Sequence, residues 1–287
     1  MRILVVNLTR PGHVLQVVAD WWRSRGHEVT EVRLDMSHRK QLLGRWMPKG
    51  PFDLAVTAEP MTALRLVLDS SCPNEKVTFW RIDYRPGRYW GLARRLDSFL
   101  CKQVGQVWSI VPPSDGPTFS HYVPAMLRPE EIVQAGRRRR LVIWAGSNLD
   151  GTLTLAEQAC QSLHDVDLSK ISWAVPLLRL SDADLSIFLS QAMVGLALYE
   201  PTSSIRRYSD PARVKRFLGA GIPVVTTAAY PFWDRLVSSG AGVVVDLSPE
   251  GIASGVKTCL KEFEAMSVKA YTLAQQYIVS ERWVPVG

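Results

Sequence analysis

The chain alternates short apolar runs with amphipathic stretches of helical spacing from its first residues. Ile3 to Asn7, Glu28 to Leu34, Asp53 to Ala58 and Lys76 to Asp83 read as strands, with helices over His13 to Arg25 and Met61 to Asp69 between them. Strand, helix, strand with short connections predicts parallel βαβ units, because parallel neighbours need a crossover and helices then cover both faces of the sheet. The first part of the chain is therefore expected to be a Rossmann-like half.

Between Val111 and Arg140 the rhythm breaks. Pro112, Pro113, Gly116, Pro117, Pro124, Pro129 and Gly136 precede four arginines, Arg137 to Arg140, a density of proline and glycine that marks a linker. The rhythm then restarts with strands at Leu141 to Ala145, Ile171 to Val175, Val194 to Tyr199, Pro223 to Thr226 and Gly242 to Val245. Helices are expected at Leu155 to Leu163, Asp182 to Ser190, Pro211 to Ala220 and Val268 to Ile278. This places one boundary near residue 130 and gives two α/β domains, 1–130 and 131–287. Length agrees, since 287 residues is enough for about two domains of ordinary size.

Composition narrows the partners. The formal charge of +7 and pI near 9.4 favour anions, whether nucleotide phosphates, lipid headgroups or nucleic acid. The Arg137 to Arg140 run fits a nucleic-acid contact but more commonly marks solvated charges at a domain joint. Cys72, Cys101, Cys160 and Cys259 are widely spaced, without CxxC or a neighbouring His, and read as reduced thiols in a cytoplasm. No apolar stretch is long enough for a membrane span, and the amino terminus reads as a strand, so a cytoplasmic protein is expected, with peripheral contact at the inner membrane face a further option. Trp21-Trp22 and Tyr89-Trp90, set among arginines, suit a membrane interface, a sugar platform or stacked bases, with core packing the fate of about half of the tryptophans.

The most informative stretch runs from Leu198 to Thr227. A buried strand ends at Tyr199-Glu200, a polar loop follows, and Ser209-Asp210-Pro211 reads as a capped helix start. Gly219-Ala220-Gly221 suits a left-handed helix end before the strand at Pro223-Val224-Val225. The helix amino terminus thus falls at the carboxyl edge of the sheet, where open α/β folds bind ligands. In the first half, Arg10-Pro11-Gly12 follows the first strand. There Gly12 fits an anion contact at a helix start and equally a tight turn without a ligand, since no GxGxxG fingerprint is present.

Tyr208-Ser209-Asp210-Pro211, Arg213, Phe217-Leu218 and Gly221-Ile222-Pro223-Val224-Val225 together resemble the donor-site signature of GT4-like retaining glycosyltransferases, YSDPxKxxEYLAxGxPVV. Asp83-Tyr84-Arg85-Pro86-Gly87-Arg88-Tyr89 is similar to the D-Y-x-P-x-R-(F/Y) region of their amino-terminal domain, and Leu141 to Ser147 to the opening strand and turn of the donor domain. The resemblance implies a GT-B fold, two Rossmann-like domains facing across a cleft, with an acceptor-side amino-terminal domain and a nucleotide-sugar donor domain. It implies a hexosyltransferase-type enzyme that moves a sugar from a nucleoside diphosphate sugar to a glycan or lipid-linked acceptor, with retention. Two positions depart from the pattern. Arg213 stands for the usual Lys and keeps the charge while adding a planar fork. Arg216 stands where such enzymes carry the Glu that binds the nucleotide ribose, and a guanidinium cannot accept hydrogen bonds.

Stabilising a departing diphosphate needs cations and oriented amides. Ser209 to Ala212 supply the amides and Arg213 the main cation, with Arg216 or Arg207 as second partners. Gly146-Ser147 brings its amides to the same phosphates, and Tyr199 and Glu200 complete the donor set, Glu200 as the alternative carboxylate. His13 and Asp83 are the candidate proton acceptors on the acceptor side, although each residue type also serves as a cap at such positions. In enzymes of this type the donor phosphate also serves as base. Asp165-Val166-Asp167 and Asp182-Ala183-Asp184 spell DxD but read as a polar loop and a helix start, so no obligatory metal and no cofactor are expected. The alternatives are transfer to modified DNA bases, a nucleotide-sugar epimerase or hydrolase, and a non-catalytic relative.

Overall fold

The structure, a computed structural model, describes residues 1–8, 13–34, 48, 50–68, 72–82, 92–111, 120–133, 136–146, 151–172, 185, 188–202 and 206–285. Two compact units are formed. The first comprises Met1–Ala125, Tyr208–Asp210 and Val279–Gly287, and the second Met126–Arg207 and Pro211–Ile278. Where the sequence suggests a single cut, the division assigns two later segments to the first unit.

In the first unit, strands β1 (Arg2–Leu8), β2 (Glu28–Leu34), β3 (Leu54–Thr57), β4 (Val77–Arg81), β5 (Gln106–Ser109) and β6 (His121–Tyr122) form one parallel sheet in the order β2-β1-β3-β4-β5-β6. Helices α1 (His13–Ser24), α2 (Pro60–Leu68) and α3 (Leu92–Gln103) accompany it. Ile3 to Val6 are all fully buried, as expected of a strand covered on both faces. Leu4 and Val6 pack with Ala63 and Leu66 of α2 and Leu100 of α3. Trp22 of α1 is buried rather than presented to an interface, its ring 6.3 Å from Trp108, which meets Trp80 edge-on at 5.8 Å. Trp21 is buried as well.

The second unit holds β7 (Leu141–Gly146), β8 (Asp167–Ser172), β9 (Val194–Ala197), β10 (Val224–Thr226) and β11 (Gly242–Val244), parallel and ordered β11-β10-β9-β7-β8. Its helices include α4 (Thr152–Gln161), α5 (Ala212–Gly219), α6 (Phe232–Ser238), α7 (Pro249–Lys261) and α8 (Phe263–Gln275). Trp144 of β7, Ala156 and Cys160 of α4, and Ile252 and Val256 of α7 form the core on one face of this sheet.

Three expectations change. Strand β8, Asp167–Ser172, starts four residues earlier than expected, and residues 173–175 of the expected strand lie outside the described residues. It is the last strand in the sheet order and carries only two apolar residues, Leu168 and Ile171, instead of an apolar run, and Asp167 pairs with Leu141 as part of the ladder. Asp165 before it sits in a left-handed turn at φ 60°, while Asp182 and Asp184 lie outside the described residues. The last long helix starts earlier than expected, at Phe263, and stays in the second unit. The arginine run is not uniformly solvated: half-buried Arg138 donates to the carbonyls of Leu189, Ala192 and Ala220 at 3.2, 2.7 and 2.5 Å, which closes the ends of two helical segments.

Among the described residues no helix is long and apolar enough to cross a membrane. The cysteines are unpaired, with Cys72, Cys160 and Cys259 buried and Cys101 half-buried. Burial pushes the Cys160 thiol up to about 11 and that of Cys259, which also feels Glu262, up to about 12.

Candidate functional site

The carboxyl edge of the second sheet gathers Gly146, Tyr199, Glu200 and Arg213 of the candidate residues. Strand β9 runs out into Leu198 and Tyr199, both buried, and Tyr199 is fixed by two hydrogen bonds with Thr227 beyond β10: its N–H donates to Oγ1 at 3.1 Å, and Thr227 Oγ1 donates back to its carbonyl at 2.5 Å. The Tyr199 ring meets Tyr230 edge-on at 5.3 Å, and Tyr230 in turn hydrogen-bonds Thr226 at 3.0 Å.

Two guanidinium groups lie over this one ring. Arg206 stands 4.7 Å from its centroid and Arg213 5.4 Å. Ring stacking orients a guanidinium and offsets some of its charge. Two cations within about 10 Å of one another still repel, and an anion bridging them removes that repulsion. Arg213 also donates to the carbonyl of Ala145 at 2.6 Å, which ties it to the end of β7 and uses one of its five N–H groups.

Helix α5, which carries Arg213, begins without a side-chain cap. Here the sequence expectation is corrected: Asp210 does not cap the helix. It is buried, and its Oδ2 accepts the N–H of Ala125, 85 residues away in the chain and part of the same first unit. Pro211 takes the capping position, and Val214 N–H reaches the Pro211 carbonyl. Ser209 is half-buried. The other end of α5 closes as expected, with Gly221 at φ 65°, Gly221 N–H on Leu218 O and Ile222 N–H on Phe217 O, both at 2.9 Å, a complete Schellman motif.

Arg216 is placed elsewhere than the candidate set assumed. It is buried, and its Nε and Nη2 reach Glu131 Oε1 at 2.7 and 2.6 Å, while Glu131 Oε2 accepts the N–H of Arg128 at 2.8 Å. The pair accounts for the charge reversal at this position, since a guanidinium buried here needs a carboxylate beside it. Glu131 was not among the candidates. Its signal, a Pro-Glu-Glu turn inside the proline-rich stretch, does not announce a partner 85 residues downstream.

Gly146 ends β7 for a packing reason, because a Cβ there would sit 2.2 Å from the Trp144 ring. Glu200 is exposed and accepts from Thr202 Oγ1 at 3.0 Å. Arg206, which lies over the Tyr199 ring, was not among the candidates, and the side chain of its neighbour Arg207, which was, lies outside the described residues. Gly12, Asp83 and Ser147 lie outside the described residues. His13 opens α1, with its side chain also outside them.

In the first unit, buried Arg81 at the end of β4 donates Nε and Nη2 to the two oxygens of Asp97 on α3, at 3.2 and 2.7 Å. Burial pushes the Asp97 carboxyl up, against the pull of the Arg81 guanidinium. Among the described residues no group of three His, Cys, Asp or Glu side chains could hold a metal ion.

Two parallel sheets with helices, of six and five strands, make this an α/β protein of the GT-B fold, as comparison with solved structures shows. HepE from Anabaena, solved with UDP-glucose, is 12% identical over 97% of this chain and 95% of its own, with a TM-score of 0.65. WaaG, a glycosyltransferase involved in lipopolysaccharide biosynthesis, is 12% identical over 99% and 96%, with a TM-score of 0.61. An α-glucosyltransferase solved with UDP and a 13-mer DNA is 11% identical over 99% and 97%, with a TM-score of 0.64. No family model and no curated protein sequence matches the chain.

Proposed function

We propose that the chain is a glycosyltransferase that takes a sugar from a nucleoside diphosphate sugar and passes it to an acceptor hydroxyl, with retention. The observation that carries this reading is the pair Arg206 and Arg213 over Tyr199, beside the uncapped start of α5, at the sheet edge where open α/β folds hold phosphates. As the bond from the anomeric carbon to the diphosphate lengthens, negative charge grows on the leaving oxygen. Two guanidinium groups and the N–H groups of a helix start stabilise that charge more than the ground state, which lowers the barrier. They provide the neutralisation without a metal, so the reaction proceeds without an obligatory divalent ion. The likeness in fold to HepE with UDP-glucose and to the glucosyltransferase with UDP supports a uridine nucleotide as donor.

Arg216 is left out of this site because Glu131 holds it. With a cation at that position, Glu200, exposed just beyond β9, is the carboxylate we assign to accept from the ribose hydroxyls. Gly146 and Ser147 amides, Ser209 and the residues near Asp210 complete the donor side. His13 and Asp83 serve the acceptor, and a cytoplasmic location, with the acceptor a glycan or lipid-linked glycan reached by peripheral membrane contact, fits the likeness to WaaG. The second reading is a nucleic-acid acceptor, favoured by the charge of +7 and by the likeness to an enzyme solved on DNA.

Calorimetry with UDP, GDP, TDP, ADP and CMP on the wild type and Arg213→Ala tests the reading. One nucleoside diphosphate is expected to bind at micromolar concentration and at least tenfold more weakly to the variant. Absence of binding by all five sinks it and leaves the non-catalytic relative.

A further inference from the structure

Four strands of the first sheet deliver a buried polar residue to its carboxyl edge: Asn7 from β1, Thr57 from β3, Arg81 from β4 and Ser109 from β5. Three of them are satisfied within the unit. Thr57 Oγ1 meets Thr62 Oγ1 and the Glu59 carboxylate, Arg81 is forked onto Asp97, and Ser109 Oγ donates to the Val111 carbonyl at 3.0 Å. Asn7 differs. It is 1% exposed, yet neither its Oδ1 nor its Nδ2 has a partner among the described residues. A buried carboxamide with both ends unmatched bears its full desolvation penalty, and a residue kept under that penalty calls for a use.

Its place supplies a second, independent reason. Strand β1 lies between β2 and β3, so the chain leaves β1 to one side for β2 and then crosses to the other side for β3. The carboxyl ends of β1 and β3 therefore form the topological switch point of this sheet, the position at which open parallel sheets bind ligands. Asn7 is the next residue along β1 after Val6, whose partner on β3 is Thr57.

We propose that Asn7 is a ligand-recognition residue of the first unit, and that its ligand is a pair of neighbouring hydroxyls on a sugar ring. A carboxamide presents one acceptor and one two-proton donor side by side. A phosphate or carboxylate would face Oδ1 with like polarity, an ammonium would face Nδ2, and an apolar group would leave both ends unmatched. Neighbouring hydroxyls match it, one donating to Oδ1 while the other accepts from Nδ2. This deepens the proposed function and rests on it for the identity of the sugar as acceptor. Recognition of a sugar by Asn7 is measurable by binding alone.

The experiment is saturation-transfer NMR and affinity measurement with the methyl glycosides of glucose, galactose, mannose and N-acetylglucosamine, with and without UDP. Wild type, Asn7→Leu and Asn7→Ser are compared, with thermal melting of each. At least one glycoside is expected to bind the wild type in the millimolar range and at least tenfold more weakly to Asn7→Leu. That variant should melt no lower than wild type, because the unmatched carboxamide is gone. If Asn7→Leu does not fold, Asn7→Ser, which keeps a single hydroxyl, carries the comparison with an expected loss of at least threefold. Glycoside affinity within twofold of wild type in the folded variant, or no glycoside bound by the wild type, overturns the inference. UDP affinity is expected to be equal in all three proteins. Its absence from all three overturns the glycosyltransferase reading, while the glycoside series still decides the role of Asn7.

Discussion

The two ends of α5 carry arginines three residues apart with opposite fates. At the carboxyl end everything is closed: Arg216 is buried on Glu131, and the Schellman turn at Gly221 satisfies the last carbonyls. At the amino end the helix lacks a side-chain cap, and Arg213 is stacked on Tyr199 with a single hydrogen bond to Ala145 among the described residues. The difference separates structural from chemical work. A guanidinium whose donors are matched inside the unit stabilises the fold and has little left for a ligand, whereas one that is oriented but only partly used can meet an incoming anion.

Variants sharpen that contrast. The largest effect is expected from Glu131→Ala, which strands the Arg216 charge in a buried site and should lower stability by about 3–5 kcal/mol in denaturant titration. Nucleotide affinity of the folded fraction should stay within twofold of wild type, and a tenfold loss would show that the closed end also serves the ligand. Arg213→Ala is the mirror image: a tenfold or greater loss of nucleoside diphosphate affinity, about 1.5–3 kcal/mol for charge-assisted hydrogen bonds, with a melting temperature close to wild type. Gly221→Ala, which forces a side chain onto a left-handed residue and against the Tyr271 ring at 2.3 Å, should cost about 2 kcal/mol in stability and leave binding unchanged. Arg206→Ala should weaken the same nucleotide about threefold, on the order of 0.5–1 kcal/mol for the loss of a cation stacked on the Tyr199 ring.

A pH-dependent effect belongs to the second core. The Cys160 and Cys259 thiols are pushed up to about 11 and about 12 from 9.0, so the folded state holds protons that the unfolded chain releases. Stability is then fully present below pH 9 and falls as pH rises toward 11 to 12, by at most about 1.4 kcal/mol per pH unit for each thiol. Denaturant midpoints at pH 8 and pH 10 measure this. Replacing both cysteines with alanine should flatten the slope while lowering stability at both values.

Local pattern made much of the fold legible. Strands β1 and β2 and helix α1 follow from runs and helical spacing, and the left-handed turn after α5 follows from Gly221. Legibility failed where partners are distant or a strand is half-covered. Asp210 was read as a cap from its neighbours, but the N–H of Ala125 claims it. Strand β8 hid because only Leu168 and Ile171 of its residues are apolar, next to a stronger apolar run. Arg216 was offered as a second phosphate partner from its place on the donor helix, and the residue that neutralises it sits 85 positions earlier. At the site, sequence pointed to the stretch and to Arg213, but the ring that orients two arginines emerges only from the tertiary arrangement of Tyr199, Arg206 and Arg213.

The routing of the chain has a thermodynamic consequence of its own. Tyr208–Asp210 belongs to the first unit yet reaches it only through the second, after about 80 residues that start at Met126, and Val279–Gly287 returns by the same dependence. If the second unit melted alone, holding Tyr208–Asp210 in place would mean closing a flexible loop of that length, at roughly 4 kcal/mol plus a constant. The first unit therefore draws part of its cooperativity from the order of its neighbour. A single calorimetric transition is expected for the intact chain, and residues 1–125 expressed alone should melt well below it.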